Sequence, residues 1–167
     1  MRTVIDGVTT GMVGALTVAG WFLLLDLDRG QPFATPALLA ATLLHGVADT
    51  RLVQVTPRLV FEYSVVHFTA FVLFGLAAAW LISAAEREPQ LAAGMLALFV
   101  CFEFFFLLLV GVASQALLEQ LVWWRIVMAN ILATGAMFAM LSWRHPALSA
   151  RLRAALRGHK SRAERAA

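Results

Sequence analysis

Long runs of apolar residues divide this chain into four segments that are each long enough to cross a lipid bilayer. A transmembrane helix needs about 20 mainly apolar residues, at a rise of about 1.5 Å per residue. Four runs meet this requirement, at about 4–25, 59–83, 91–117 and 121–143. The pattern therefore predicts an all-α, polytopic membrane protein, with a four-transmembrane-helix bundle in a domain that covers residues 1–146.

A shorter apolar stretch, at about 36–46, lies between the first two runs. It is too short to span a membrane, and Pro36 and Gly46 stand where a helix typically begins and ends. We expect a short interfacial or re-entrant helix in the first outer loop. The stretch before it, 26–36, is rich in turn-forming residues and is interpreted as a rigid connector.

Composition supports the membrane class independently of these runs. Hydrophobic residues make up 61% of the 167 residues and charged residues 14%, whereas soluble domains have about 45–50% and about 25%. The first run is too long for a signal peptide and has no clear cleavage site, so we expect a retained helix. The single cysteine, Cys101, cannot form an internal disulfide, and we expect it to be a small buried hydrophobic residue.

The placement of the basic residues predicts the orientation. Seven of the thirteen Lys and Arg residues lie after Trp143, and cytoplasmic flanks carry such an excess. The basic tail, 147–167, is therefore expected in the cytoplasm, and four spans place the N-terminus there as well, in a bacterial inner (cell) membrane. The tail alternates leucine and arginine as an amphipathic helix on anionic lipid does, and it lacks aromatic residues for nucleic-acid stacking. Its candidate headgroup-binding residues are Arg151, Arg153, Arg157 and Lys160.

One carboxylate falls near the middle of the third predicted span. Glu103 is twelve positions from Leu91, roughly 18 Å along the helix, and a carboxylate there costs about 2.5–3.5 kcal/mol on insertion scales. It should face the bundle, a partner or water. His67 and Asn130 fall at a similar depth in the second and fourth spans. These three residues, with two neighbours, form a predicted intramembrane polar cluster: His67, Glu103, Asn130, Tyr63 and Ser114.

Several chemistries are open to these groups. His67 could ligate heme iron or, together with Glu103, a metal ion, and His45, Glu62 and Asp26 could add ligands or relay protons. Glu62 lies five positions from His67, so the two should point in different directions. No ExxH pair of the di-iron type is present. Plainer interpretations are a neutral His67 that is bonded to a neighbouring helix and a Glu103 that serves as a structural hydrogen-bonding group.

Small residues form a separate pattern on the first span. Gly7, Gly11, Gly14 and Ala15 share one face, which allows another helix backbone to approach closely. A Gly-rich phosphate loop, GxSxG, HExxH and CxxC are all absent from the sequence, so soluble-type enzyme chemistry is disfavoured.

Three functions follow from these features. The first is a non-catalytic accessory or assembly subunit that binds other membrane subunits or a second copy. The second is a homodimeric proton-coupled transporter that uses Glu103, and the third is a heme- or metal-binding redox protein that uses His67.

Overall fold

The computed structural model describes residues 2–85, 101, 108 and 123–144. This part of the chain is all-helical, with a 3-10 turn at Thr50–Leu52 and four α-helices: α1 (Arg2–Asp28), α2 (Ala34–His45), α3 (Pro57–Ala85) and α4 (Trp123–Arg144). By length and composition, α1, α3 and α4 could each span a membrane. The predicted third span, 91–117, and the basic tail, 147–167, lie outside the described residues.

Turn-forming residues set the boundaries of the short helix. It begins at Ala34, so Pro36 lies in its first turn, where a missing N–H removes no helical hydrogen bond. It ends at His45 because Gly46 adopts φ +65°, a left-handed conformation that glycine tolerates well. The predicted helix at 36–46 is therefore present, displaced by one or two residues.

Helix α1 runs antiparallel to both α3 and α4. At one end of the bundle, the hydroxyl oxygens of Thr3 and Ser83 lie 3.4 Å apart, and Arg144 Nη1 donates to Asp6 Oδ1 at 2.6 Å. We call this the Asp6 end. At the opposite end, the indole N–H of Trp21 donates to the carbonyl of Arg125 at 3.2 Å. We call this the Asp26 end, after the buried aspartate that follows Trp21 on α1.

Glycines bring α1 and α3 into backbone contact. A Cβ atom built on Gly75 would lie 2.6 Å from the nitrogen and 2.8 Å from the Cα of Gly11, closer than real Cβ contacts. A Cβ on Gly7 would lie 2.7 Å from the Cα of Leu76. The predicted small-residue face on α1 is therefore an interhelical contact, as expected where backbones must approach closely.

The buried core lies between α1, α3 and α4. Its main cluster combines small and large side chains from all three helices: Ala15, Val18, Phe71, Ala129, Ala133 and Met137. The outward faces carry exposed large apolar side chains, including Leu24, Leu73 and Phe138. A bundle with an apolar exterior suits a lipid environment. Cys101 is exposed, so the expectation that it is buried is wrong.

Candidate functional site

A cavity of about 310 Å³ lies between α1, α2 and α3 at the Asp26 end. Most of its wall is apolar, with side chains such as Phe22 and Leu23 from α1, Leu39 from α2 and Phe68 from α3. Leu16 and Phe33 also line it and are 58% and 46% exposed. Since lining residues reach the outer surface of an apolar bundle, the cavity is accessible from its surroundings.

His67 ties α3 to α1 beside this cavity. Its Nε2 lies 3.1 Å from the carbonyl oxygen of Ala15, and Nε2 must be the donor because a carbonyl only accepts. The imidazole stacks on Tyr63 with 5.6 Å between ring centroids and packs at 4.8 Å from the ring of Phe71. Ligation of iron or another metal through Nε2 would require the loss of the bond to Ala15.

Asp26 anchors the start of α2. It is 1% exposed, and its two oxygens accept from the backbone N–H of Thr35 at 2.8 Å and from the Thr35 hydroxyl at 2.7 Å. The first N–H groups of a helix lack intrahelical partners, and the helix dipole favours an anion there. Phe33, just before α2, has φ +64°, a strained value for a large side chain. The bonds to Asp26 hold the chain in this turn.

Replacement of Asp26 by alanine is therefore expected to lower the free energy of unfolding by about 1.5–3 kcal/mol, because it leaves two buried donors of Thr35 unpaired. Unfolding by SDS in mixed micelles, followed by circular dichroism, measures this loss. Trypsin should also cleave faster after Arg29. Asp28→Ala is the matched control, since Asp28 is exposed two residues further along. Equal losses in the two variants would contradict the anchoring role.

Glu62 connects the end of α2 to the beginning of α3. One carboxylate oxygen lies 2.6 Å from Nε2 of His45, and the other accepts from Nε of Arg58 at 2.7 Å. All three side chains are at least partly exposed, and none of them lines the cavity. Glu62 thus points away from His67, as their spacing predicted. Exposed pairs of this kind contribute about 0–1 kcal/mol.

Two members of the predicted polar cluster, His67 and Asn130, lie at similar heights. Trp21 contacts Arg125, so Asn130, five residues further along antiparallel α4, lies near the level of Leu16, next to Ala15. Asn130 is 7% exposed, and its Nδ2 has no partner among the described residues. His67 bonds Ala15 rather than Asn130. Glu103 and Ser114 lie outside the described residues, so the cluster as a whole remains a prediction, as does headgroup binding by the tail.

One charged contact of the bundle was missed by sequence reasoning. Asp6 and Arg144 join the beginning of α1 to the end of α4. The sequence did contain a signal for this pair. The predicted topology places both residues near the same membrane surface, and Asp6 is the only charged residue inside the first run. Opposite charges at the same depth on two spans are candidates for pairing.

Comparisons with protein-family models, curated proteins and solved structures give no match for this chain. Within the described ranges, no group of three or more His, Cys, Asp and Glu side chains could hold a metal ion. The site is thus defined by its own geometry: an apolar cavity, bordered by polar groups that mostly bond within the chain. A cavity with a mainly apolar wall suits the binding of an apolar molecule.

Proposed function

We propose that this chain is a non-catalytic accessory or assembly subunit of a larger membrane complex. The observation that carries the proposal is the use of its polar side chains. His67 bonds Ala15, Asp26 bonds Thr35 and Glu62 bonds His45, and these are groups that the sequence nominates for chemistry. Their bonding capacity stabilises the contacts between helices, which is typical of a scaffold that acts through its surfaces.

The surface of α3 supports a binding role. Phe61, Val65, Leu73 and Trp80 are exposed, and their spacing places them close to one side of the helix. Gly75 packs α3 against α1 at backbone distance and lies about 160° around the helix from Leu73. A rigid helix pair therefore presents an apolar stripe, which could contact lipid or a second membrane protein.

The proposed topology has four spans with both termini in the cytoplasm of an inner membrane and α2 at the outer interface. Support comes from the ends of the described helices. Ser83, near the end of α3, lies at the Asp6 end, whereas Arg125, near the beginning of α4, lies at the Asp26 end. The intervening chain must connect opposite ends of the bundle, which favours the predicted span at 91–117. The basic tail favours a cytoplasmic Asp6 end.

Site-specific photocrosslinking in native membranes tests the accessory role. We expect a benzoylphenylalanine probe at Leu73, on the α3 stripe, to give a discrete adduct with a different membrane protein, identified by mass spectrometry. A probe at Phe138, which is exposed on α4, is the matched control for non-specific collisions. The proposal would be contradicted if the probe at Leu73 gave only lipid adducts or only adducts with a second copy of the chain. It would also be contradicted if the probe at Leu73 gave the same products as the probe at Phe138.

A further inference from the structure

The cavity between α1, α2 and α3 has the size of a site for a small molecule. Its volume of about 310 Å³ lies at the lower end of the range of about 300–1,000 Å³ that is typical of ligand pockets. A single ring system fits this volume, whereas a whole phospholipid does not. Because Leu16 and Phe33 connect its wall to the apolar exterior, a molecule dissolved in the bilayer has a direct route into it.

Five ring-bearing side chains contribute to the walls of the cavity. Phe22, Phe33, Tyr63, His67 and Phe68 all line it, so rings approach from α1, from the turn before α2 and from α3. Aromatic side chains pack favourably against other rings in offset-stacked or edge-to-face arrangements. This lining favours a flat ring over a flexible acyl chain, which gains no such geometry.

The polar groups of the cavity are almost all engaged within the chain. Ser64 donates to the carbonyl of Val60 at 2.7 Å and His67 donates to Ala15, while Asp26 accepts two bonds from Thr35. Two groups are exceptions, because neither forms a hydrogen bond to another described residue: the hydroxyl of Tyr63 and the Nδ1 of His67, which is an acceptor when Nε2 donates. Among the described lining residues, the phenolic O–H of Tyr63 is therefore the side-chain donor without an acceptor in the described part of the chain.

Charge is disfavoured in the ligand. The described lining contains no Lys or Arg to pair with an anion, and Asp26 would repel one. A cation would gain little from Asp26, since that carboxylate is 1% exposed and its oxygens already accept from Thr35. A charged molecule would also have to leave water for an apolar wall.

We infer that this cavity binds a neutral, ring-bearing apolar molecule from the bilayer, with a ring oxygen that accepts a hydrogen bond from the hydroxyl of Tyr63. Quinones and related ring ketones have this chemistry. Aromatic side chains surround the ring, and any long substituent leaves past Leu16 or Phe33 into the lipid. The inference does not depend on the accessory role, because none of the residues of the α3 stripe lines the cavity.

Binding of decylubiquinone to the purified full-length chain in lipid nanodiscs tests this inference. We expect saturable quenching of tryptophan fluorescence, at one quinone per chain. Tyr63→Phe should weaken decylubiquinone binding about fivefold, the effect of one hydrogen bond. Decylbenzene keeps a ring and a chain but has no oxygen. It should compete weakly, and equally well in wild type and Tyr63→Phe.

Two glycines provide a matched pair of variants for the location of the site. Gly20 lines the cavity and Gly135 does not, and a Cβ atom on either meets nothing within 4 Å. Gly20→Leu should fill the cavity and abolish saturable binding, while Gly135→Leu should bind as wild type does. Circular dichroism verifies that each variant is folded.

Three results would overturn the inference. Quenching that rises linearly with quinone would show partitioning into lipid alone. Saturable binding that is unchanged in folded Gly20→Leu would place the site elsewhere. Unchanged affinity for decylubiquinone in Tyr63→Phe would show that the hydroxyl of Tyr63 does not donate to the quinone. A ring oxygen would then not be required of the ligand.

Discussion

Gly75→Ala is expected to lower the free energy of unfolding by about 1–3 kcal/mol, the usual range for overpacking a tight contact. The added Cβ would lie 2.6 Å from the backbone nitrogen of Gly11. Backbone atoms cannot rotate away as a flexible side chain can, so α1 and α3 must separate along their contact. Gly75→Leu should have a larger effect, at or above the upper end of this range. SDS unfolding in mixed micelles, monitored by circular dichroism, measures both variants.

Gly135→Ala is the matched control for this prediction. It lies within α4, is exposed, and a Cβ there meets nothing within 4 Å. Alanine is favoured over glycine inside a helix by roughly 0.5–1 kcal/mol, so this variant should be as stable as wild type or slightly more so. If Gly75→Ala and Gly135→Ala shift the unfolding midpoint alike, the helices do not meet at Gly75 as the structure describes.

Asp6→Asn is expected to lower the free energy of unfolding by about 3 kcal/mol. The Asp6 carboxylate accepts from Arg144 Nη1 at 2.6 Å, and the two side chains are only 10% and 29% exposed. Loss of one partner from a buried pair leaves an uncompensated charge, which costs about 3–5 kcal/mol. The partial exposure of Arg144 favours the lower end of that range. The same unfolding assay applies.

A double-mutant cycle distinguishes pairing from independent effects. Arg144→Gln should also be destabilising, but Asp6→Asn/Arg144→Gln should be less destabilised than the sum of the singles, with a coupling of about 2 kcal/mol. The exposed pair of Arg58 and Glu62 is the comparison, with a coupling of about 0–1 kcal/mol. Additive losses at Asp6 and Arg144 would show that the pair does not join α1 to α4.

The predicted helices agree with the described ones because each helix in lipid must satisfy its own backbone hydrogen bonds. A run of about 20 apolar residues is then sufficient to specify a span, and α1, α3 and α4 begin and end within three residues of the predicted bounds. The contact through Gly7 and Gly11 was predictable for a related reason. Glycines repeated every four residues on one face have few uses other than close backbone approach.

The candidate site was predictable only in its parts. The sequence indicates that His67, Asn130 and Tyr63 share one half of the bundle, since depth follows from position along a helix. It does not indicate that His67 donates to Ala15, because that contact depends on how far each helix is rotated about its axis. The sequence also nominated Asp26 and Glu62 as possible ligands. In the structure, the carboxylate of Asp26 accepts hydrogen bonds from Thr35, and that of Glu62 forms a hydrogen bond with His45.

The sequence alone determined the all-helical class of the described residues, the extent of the three long apolar helices and the glycine face, because these follow from hydropathy and helical period along one chain segment. Only the tertiary structure decided which side chains meet across helices: Asp6 with Arg144, Asp26 with Thr35 and His67 with Ala15. It alone revealed the apolar cavity, because an empty volume between three helices depends on their relative rotation and separation. No single segment of the sequence encodes these quantities.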